Sequence, residues 1–336
     1  MTHMTRRTLL TAVSIMLVAA ACGSSKAADT TATTVKVGAT TAAGAATTAA
    51  SAATTAAAAA ATTAAPAKTT AADAASTAVA ATSGESTVAK IKAKGKIVIG
   101  TKFDQPLFGL KNPTTNEVDG FDAEIGRLLA KKIFGDDIKG KVEFVETTSK
   151  VREEAIEQGK VDLVIATYTI NAARKERVGF AGPYYTAGQD LLVKKGDTSI
   201  TGVDSLDGKK VCSVQGSTSL KNLAEKAPKA DASLTFDKYS LCVEALLDGR
   251  VNAVTTDNVI LLGFVADNAD KVQLVGKPFT TEPYGIGVKK DDKDFRSWVN
   301  DQLEAIAKDG SYAKAWDATA GKTGQKAPTP PAVDRY

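Results

Sequence analysis

Apolar residues recur along the middle of the chain at two different periods. In Lys96-Ile97-Val98-Ile99-Gly100 they run together and stop at a glycine, the pattern of a short buried strand. Phe121, Ile125, Leu128, Leu129 and Ile133 then fall on one helical stripe, which predicts an amphipathic helix over 122–133 with a charged outer face. Val142 to Val145 reads as a second strand, Val151 to Gln158 as a helix closed by Gly159, and Val161 to Ala166 as a third strand. The alternation then repeats, with strands at 210–214, 234–236 and 251–255 and helices at 219–226 and 240–248, the latter closed by Gly249. Strands alternating with helices predict an α/β class, with parallel sheets covered by helices. Two such units in succession form two lobes with a cleft, and open sheets bind ligands beyond the carboxyl ends of their strands.

The pattern is absent at both ends. Arg6 and Arg7 precede an apolar run from Leu9 to Ala21, 13 residues long, whereas a membrane span needs about 20. A basic flank, a short apolar core and a small-residue exit predict a signal peptide over 1–21. The run Leu17-Val18-Ala19-Ala20-Ala21-Cys22 is similar to a bacterial lipoprotein box, with Ala19 in place of the usual leucine. It makes Cys22 the expected lipidation site, an ordinary secretory cleavage being the alternative. The paired arginines also resemble a twin-arginine signal, and the export route stays open. From Ala27 to about Ser83 nearly every residue is Ala, Thr, Ser or Gly. Such a segment cannot bury enough apolar surface to offset chain entropy, so 22–86 is expected to be a disordered Ala/Thr-rich linker with a reach of about 40 Å. Residues 319–336, with Pro328, Pro330 and Pro331, are expected to be a flexible tail.

Charge and composition remove several function classes. Lys and Arg total 42 against 38 Asp and Glu, a net charge of +4 over 336 residues, too small an excess to suggest a nucleic-acid partner. The single histidine is His3, within the expected leader. The mature chain would then carry no imidazole, which removes Ser-His-Asp and Cys-His catalysis and histidine metal sites. No enzyme, metal site or cofactor is expected.

Several motifs carry a family resemblance. They are Gly120-Phe121-Asp122-Ala123-Glu124-Ile125, Gly159-Lys160-Val161-Asp162-Leu163, Thr167-Tyr168-Thr169-Ile170-Asn171-Ala172-Ala173-Arg174, and Val178-Gly179-Phe180-Ala181-Gly182-Pro183-Tyr184-Tyr185. Gln215-Gly216-Ser217-Thr218, Thr256-Asp257 and Tyr284-Gly285-Ile286-Gly287-Val288 follow in order. Together, from about Lys96 to Trp316, they resemble the amino-acid-binding, family 3 solute-binding proteins of ABC importers, with Ala123, Asn171 and Ala173 departing from the usual pattern. The resemblance implies a two-lobed type II periplasmic-binding-protein clamp: lobe one at 87–190 plus 285–318, lobe two at 191–284. Asp190-Leu191-Leu192-Val193 and Gly285-Ile286-Gly287-Val288 are the expected hinge strands.

An amino acid brings a carboxylate and an ammonium, each costly to desolvate without an opposite charge. The resemblance makes Arg174 the α-carboxylate partner, since a guanidinium grips a carboxylate through two parallel bonds; periodicity alone would leave it solvated in a basic run with Lys175 and Arg177. Thr169, Ser217 and Thr218 would add donors at a helix N-terminus, and Asp257 would take the α-ammonium. Lys102, in Gly100-Thr101-Lys102-Phe103-Asp104-Gln105-Pro106, and Arg152, opening the second helix, are ordinary surface residues by composition. In context they are similar to family members that take acidic amino acids. L-glutamate or L-aspartate is therefore the expected ligand, with glutamine or asparagine as the alternative. Phe103 and Tyr168 are candidates for the cleft wall, or equally for core packing. Cys212 and Cys242 suggest a disulfide in an exported lobe, two buried thiols being the alternative; their contexts are similar to actinobacterial glutamate-binding lipoproteins. The expected partners are an ABC permease with its ATPase, and the outer face of the cytoplasmic membrane through the lipid anchor. A dehydratase-like enzyme or a receptor-linked sensor on the same scaffold would be the less expected outcomes.

Overall fold

Each strand of the folded region carries too few residues to hide its own backbone, so the strands must share ladders, and two five-stranded sheets and one small three-stranded sheet result. A computed structural model describes residues 86–336. The expected leader, Cys22 and the linker up to residue 85 lie outside them.

Helix α1 (Thr87–Lys94) leads into β1 (Ile97–Thr101), followed by the small meander β2 (Asp104–Gln105), β3 (Gly109–Lys111) and β4 (Val118–Asp119). Helix α2 (Phe121–Phe134), β5 (Val142–Glu146), α3 (Arg152–Glu157), β6 (Leu163–Val164), α4 (Ala172–Lys175) and β7 (Val178–Ala187) continue the first lobe. The second lobe holds β8 (Gln189–Lys194), β9 (Val211–Val214), α5 (Thr218–Lys226), β10 (Thr235–Phe236), α6 (Tyr239–Leu247), β11 (Ala253–Asp257), α7 (Asn258–Asp267) and β12 (Val272–Leu274). The chain returns to the first lobe through β13 (Glu282–Lys289), α8 (Lys293–Lys308) and α9 (Ser311–Ala318).

The sheet orders are β5-β1-β6-β13-β7 and β10-β9-β11-β8-β12. The alternation predicts parallel sheets, but neither sheet is purely parallel. Each has three parallel strands joined to an antiparallel pair: β13 with β7 in lobe one, β8 with β12 in lobe two. The reason is connectivity, because the strands that enter and leave the lobes run directly between them without a crossover helix.

Helix α2 lays Phe121, Ile125, Leu129 and Ile133 into the first core. A side chain at Gly126 would meet Ile99 Cδ1 at 2.9 Å, so its absence lets α2 lie close on β1. Asp122, expected on the solvent face, is fully buried: it accepts hydrogen bonds from Thr167 N–H at 2.7 Å and the Tyr184 hydroxyl at 2.6 Å.

The expected hinge strands lie inside the sheets instead. Leu191, Leu192 and Val193 are buried in β8, and Ile286 and Val288 in β13, because continuous apolar runs are stabilised by two covered faces. The chain crosses at Gly188, between β7 and β8, and again between Phe279 and Glu282, where Phe279 N–H bonds to Gln189 O and Glu282 pairs with Ala187. At Gly188 a Cβ would lie 2.9 Å from Pro278 Cβ and Thr280 O, so glycine lets the crossings pass each other closely. The lobe limits thus fall at 188 and about 280, a few residues before the expected ones.

The C-terminal residues are not a loose tail. Trp316 Nε1 donates to Gln325 O, Asp334 N–H donates to Gly182 O, and Ala327 and Val333 pack on the first core. Prolines and scattered polar groups carry no periodicity, yet they follow the surface of lobe one closely.

Cys212 in β9 and Cys242 in α6 form a disulfide with a Cα–Cα distance of 5.5 Å across a separation of 30 residues.

Candidate functional site between the lobes

The site is assembled from strand ends and the loops that follow them. After β6, Thr167 takes a left-handed backbone (φ 45°), held by Asp122 through its N–H and by Gln105 through its hydroxyl. This turn swings the next residues toward β13, where Thr169 bridges Tyr284 and Ile170 N–H bonds to Pro283 O. Asn171 then caps α4 by accepting from Arg174 N–H at 2.9 Å. Arg174 folds back over this loop: Nη1 donates to Thr169 O at 2.7 Å, and Nε lies 3.2 Å from Glu153 Oε1.

Lobe two meets it there. Gly216 (φ 74°) follows β9, and a Cβ on it would come within 2.8 Å of Lys150 Cα, so the lobes touch backbone to backbone. Arg174 Nη2 donates to Gly216 O at 3.2 Å, and the Thr218 and Thr169 hydroxyls are 3.4 Å apart. Ser217 caps α5 through Leu220 N–H at 3.0 Å, leaving Ser217 and Thr218 at a helix N-terminus facing the gap.

Three cations are buried together. Lys102, just past β1, donates to Ser149 Oγ at 3.0 Å; burial, and next the charge of Arg152, lowers its ammonium to about 7. Arg152 donates from Nη1 to Ala166 O at 2.8 Å and stacks 3.9 Å above the Tyr168 ring, while its Nε has no partner. Arg174 is lowered to about 10, first by burial and then by Arg152. Burial pushes Glu153 upward, but the neighbouring Arg152 and Arg174 charges outweigh it and leave this carboxyl below its usual range.

Asp257, closing β11, supplies the facing negative charge. One oxygen accepts from the Tyr284 hydroxyl at 2.6 Å, and the other is buried without a partner. Burial, and then the nearby Glu282, raises it to about 7, while the charges of Arg152 and Arg174 act across the gap in the opposite sense.

The predicted residues Lys102, Arg152, Thr169, Arg174, Ser217, Thr218 and Asp257 are therefore neighbours. The two aromatic candidates are not equivalent to them. Tyr168 is completely buried, 4.7 Å from Phe180, and forms a platform beneath Arg152 and Arg174 rather than a wall. Phe103 is half-buried under Lys111 and borders an outer groove of about 420 Å³ with Pro106, Val243 and Phe264. Sequence reasoning missed Glu153, Ser149 and the role of Tyr284. Of these only Tyr284 had a signal, its place in a quoted motif.

The chain is similar to several known proteins. The glutamine-binding protein GlnH of a Bacillus subtilis ABC transporter is 47% identical over 231 residues, covering 68% of this chain and 83% of that protein. The glutamate-binding protein GluB of Corynebacterium efficiens is 39% identical over 250 residues, covering 72% and 84%. Among solved structures, an ancestral arginine-binding protein bound to glutamine superposes with a TM-score of 0.61 at 38% identity, covering 66% of this chain and 96% of that one. Residues 97–318 match the model for bacterial extracellular solute-binding proteins, family 3, and the chain belongs to that family.

Proposed function

We propose that the protein is the extracytoplasmic binding component of an amino-acid ABC importer, that it captures L-glutamate, with L-aspartate as the shorter alternative, and that it presents the closed clamp to a membrane permease. One observation carries the acidic preference. Lys102 and Arg152 are 3% and 2% exposed, and neither has a carboxylate within ion-pair distance among the described residues. Arg174 already has Glu153, and Asp257 is available to an ammonium. A ligand with two carboxylates and one ammonium brings Lys102 and Arg152 the opposite charge they lack and gives Asp257 a cation, and a buried cation without an opposite charge is costly.

In this reading Arg174, Thr169, Ser217 and Thr218 take the α-carboxylate, Asp257 the α-ammonium, and Lys102 with Arg152 the side-chain carboxylate. Closure follows because the ligand touches both lobes only when they meet. The reading includes a lipid anchor at Cys22, which would hold the clamp at the membrane through the Ala/Thr-rich linker.

A neutral ligand is the second reading. The similarity to glutamine-binding GlnH favours it, as does the Lys102 amine, which loses its proton near pH 7. Calorimetric titration with glutamate, aspartate, glutamine and asparagine decides between them. Glutamate should bind at least tenfold tighter than glutamine at pH 6.5; equal or tighter binding of glutamine removes the acidic assignment.

A further inference from the structure

We infer that Asp104 and Glu146 of lobe one form a latch on helix α6 of lobe two, setting how long the closed clamp retains its ligand without touching it. The inference rests on the amino-acid clamp proposed above. Helix α6 starts without a cap of its own: Lys238 stands at the N-cap and makes no side-chain bond to the first-turn amides. Such amides need acceptors, and a carboxylate placed there is favoured by hydrogen bonding and by the helix dipole.

The acceptor comes from the opposite lobe. Ser240 N–H donates to Asp104 Oδ2 at 3.3 Å, and Lys238 Nζ lies 2.6 Å from Glu146 Oε1. Asp104 belongs to β2 and Glu146 ends β5, both in lobe one, while Lys238 and Ser240 open α6 in lobe two. Both contacts join one lobe to the other, so opening the clamp breaks them and returns the α6 N-terminus to water. The Cys212–Cys242 disulfide ties the first turn of α6 to β9. Force on the cap therefore reaches the body of lobe two rather than fraying one helix end.

A contact present in the closed clamp and absent from the open one slows dissociation and leaves the encounter with ligand unchanged. Asp104 lies two residues from Lys102, so its removal also alters the field at the site. The Lys238–Glu146 pair is the cleaner probe. Stopped-flow fluorescence with glutamate on the full chain compares wild type, Lys238→Glu, and Lys238→Glu combined with Glu146→Lys. Lys238→Glu places like charges opposite each other and should raise the dissociation rate about fivefold, the range for a partly exposed charge pair. Its association rate should stay within about twofold. Reversing both charges should restore the wild-type rate, which a general loss of stability would not allow. An unchanged dissociation rate in Lys238→Glu, or no rescue by the double reversal, overturns the latch while leaving the clamp intact. A wild-type protein that binds no amino acid overturns the clamp and the latch together.

Discussion

The Tyr284 hydroxyl donates to the Asp257 carboxylate at 2.6 Å and thereby joins β13 of lobe one to the end of β11 in lobe two. The second Asp257 oxygen stays buried and unpaired, and burial together with Glu282 raises the group to about 7. Lys102, on the other side of the gap, is lowered by burial and by Arg152 to about 7. In the proposed binding mode glutamate needs both groups charged. Below pH 7 Asp257 must lose a proton when the ammonium arrives, so affinity falls as pH drops. Above pH 7 Lys102 must gain a proton when the side-chain carboxylate arrives, so affinity falls as pH rises. The expected profile for glutamate is bell-shaped around neutral pH, with limbs approaching tenfold per pH unit. Calorimetry in buffers of different ionisation enthalpy should detect proton release at pH 6 and uptake at pH 8. A flat profile between these values would falsify the assignment of both groups.

In the proposed binding mode Lys102 also couples function to stability. Its folded value lies below its unfolded value of 10.5, so the folded protein holds fewer protons between about pH 7 and that point. Stability therefore rises with pH across this window, and the full cost of burying the cation is felt below pH 7. Lys102→Met removes that cost and keeps the volume. The ligand-free variant should melt several degrees higher at pH 6.5 than the wild type. Its glutamate affinity should drop by tenfold or more, against about threefold or less for glutamine. Thermal melts with and without each ligand test both halves; a variant that keeps its glutamate preference excludes Lys102 as the selecting cation.

Much of this architecture is legible in the sequence, and what is not has physical causes. The stripe Phe121, Ile125, Leu129 and Ile133 fixes α2 because four-residue spacing fits one helical face. Asp122 escapes the same argument: its neighbours place it at the edge of the stripe, and only the Thr167 turn and the Tyr184 hydroxyl, both remote in sequence, give its carboxylate a reason to be inside. Apolar runs mark strands but not which lobe they join, and so Leu191 to Val193 and Ile286 to Val288 suggest hinges yet lie within sheets. Glu153 and Glu154 are equivalent by spacing alone. The approach of α4 selects Glu153 as the Arg174 partner, and a single sequence has no term for that approach. Charged residues of a site stand out by type and motif, whereas the groups that hold them in place do not.

The Cys212–Cys242 bond closes a separation of 30 residues around β9, α5 and β10. Restricting a loop of that length in the unfolded chain is worth roughly 3–4 kcal/mol in the chain-entropy model. Urea unfolding of the oxidised protein and of a Cys212→Ser, Cys242→Ser variant should therefore differ by about that amount. The variant should still bind glutamate, since neither sulfur is among the groups facing the gap. A difference below about 1 kcal/mol would mean that the unfolded chain is already restricted there.

The C-terminal strap gives the last prediction. The strand β7 is an edge of its sheet, and its unpaired backbone groups need cover. The strap supplies it: Phe180 N–H donates to the Tyr336 hydroxyl at 2.9 Å and Gly182 O accepts from Asp334 N–H at 2.7 Å. The Tyr336 ring lies 3.7 Å from Lys175 Nζ and 4.1 Å from the Arg296 guanidinium carbon. Arg335 pairs with Asp301 at 2.8 Å and with Glu304 at 3.0 Å, anchoring the strap to α8. Each contact is exposed or partly exposed and weak alone. Acting on one segment they share a single entropic cost of ordering, so removal of residues 325–336 should cost more than any one substitution. We expect a loss of about 2 kcal/mol, and for a domain of this size about 2–4 °C in melting midpoint for each kcal/mol. Tyr336→Ala alone should account for about half of the loss, through both the cation–π contacts and the bond to β7. Calorimetric melts of the full chain, the truncation and the point variant provide the check. Equal midpoints for all three would mean that the strap rests on β7 without stabilising it, and that solvent satisfies the edge equally well.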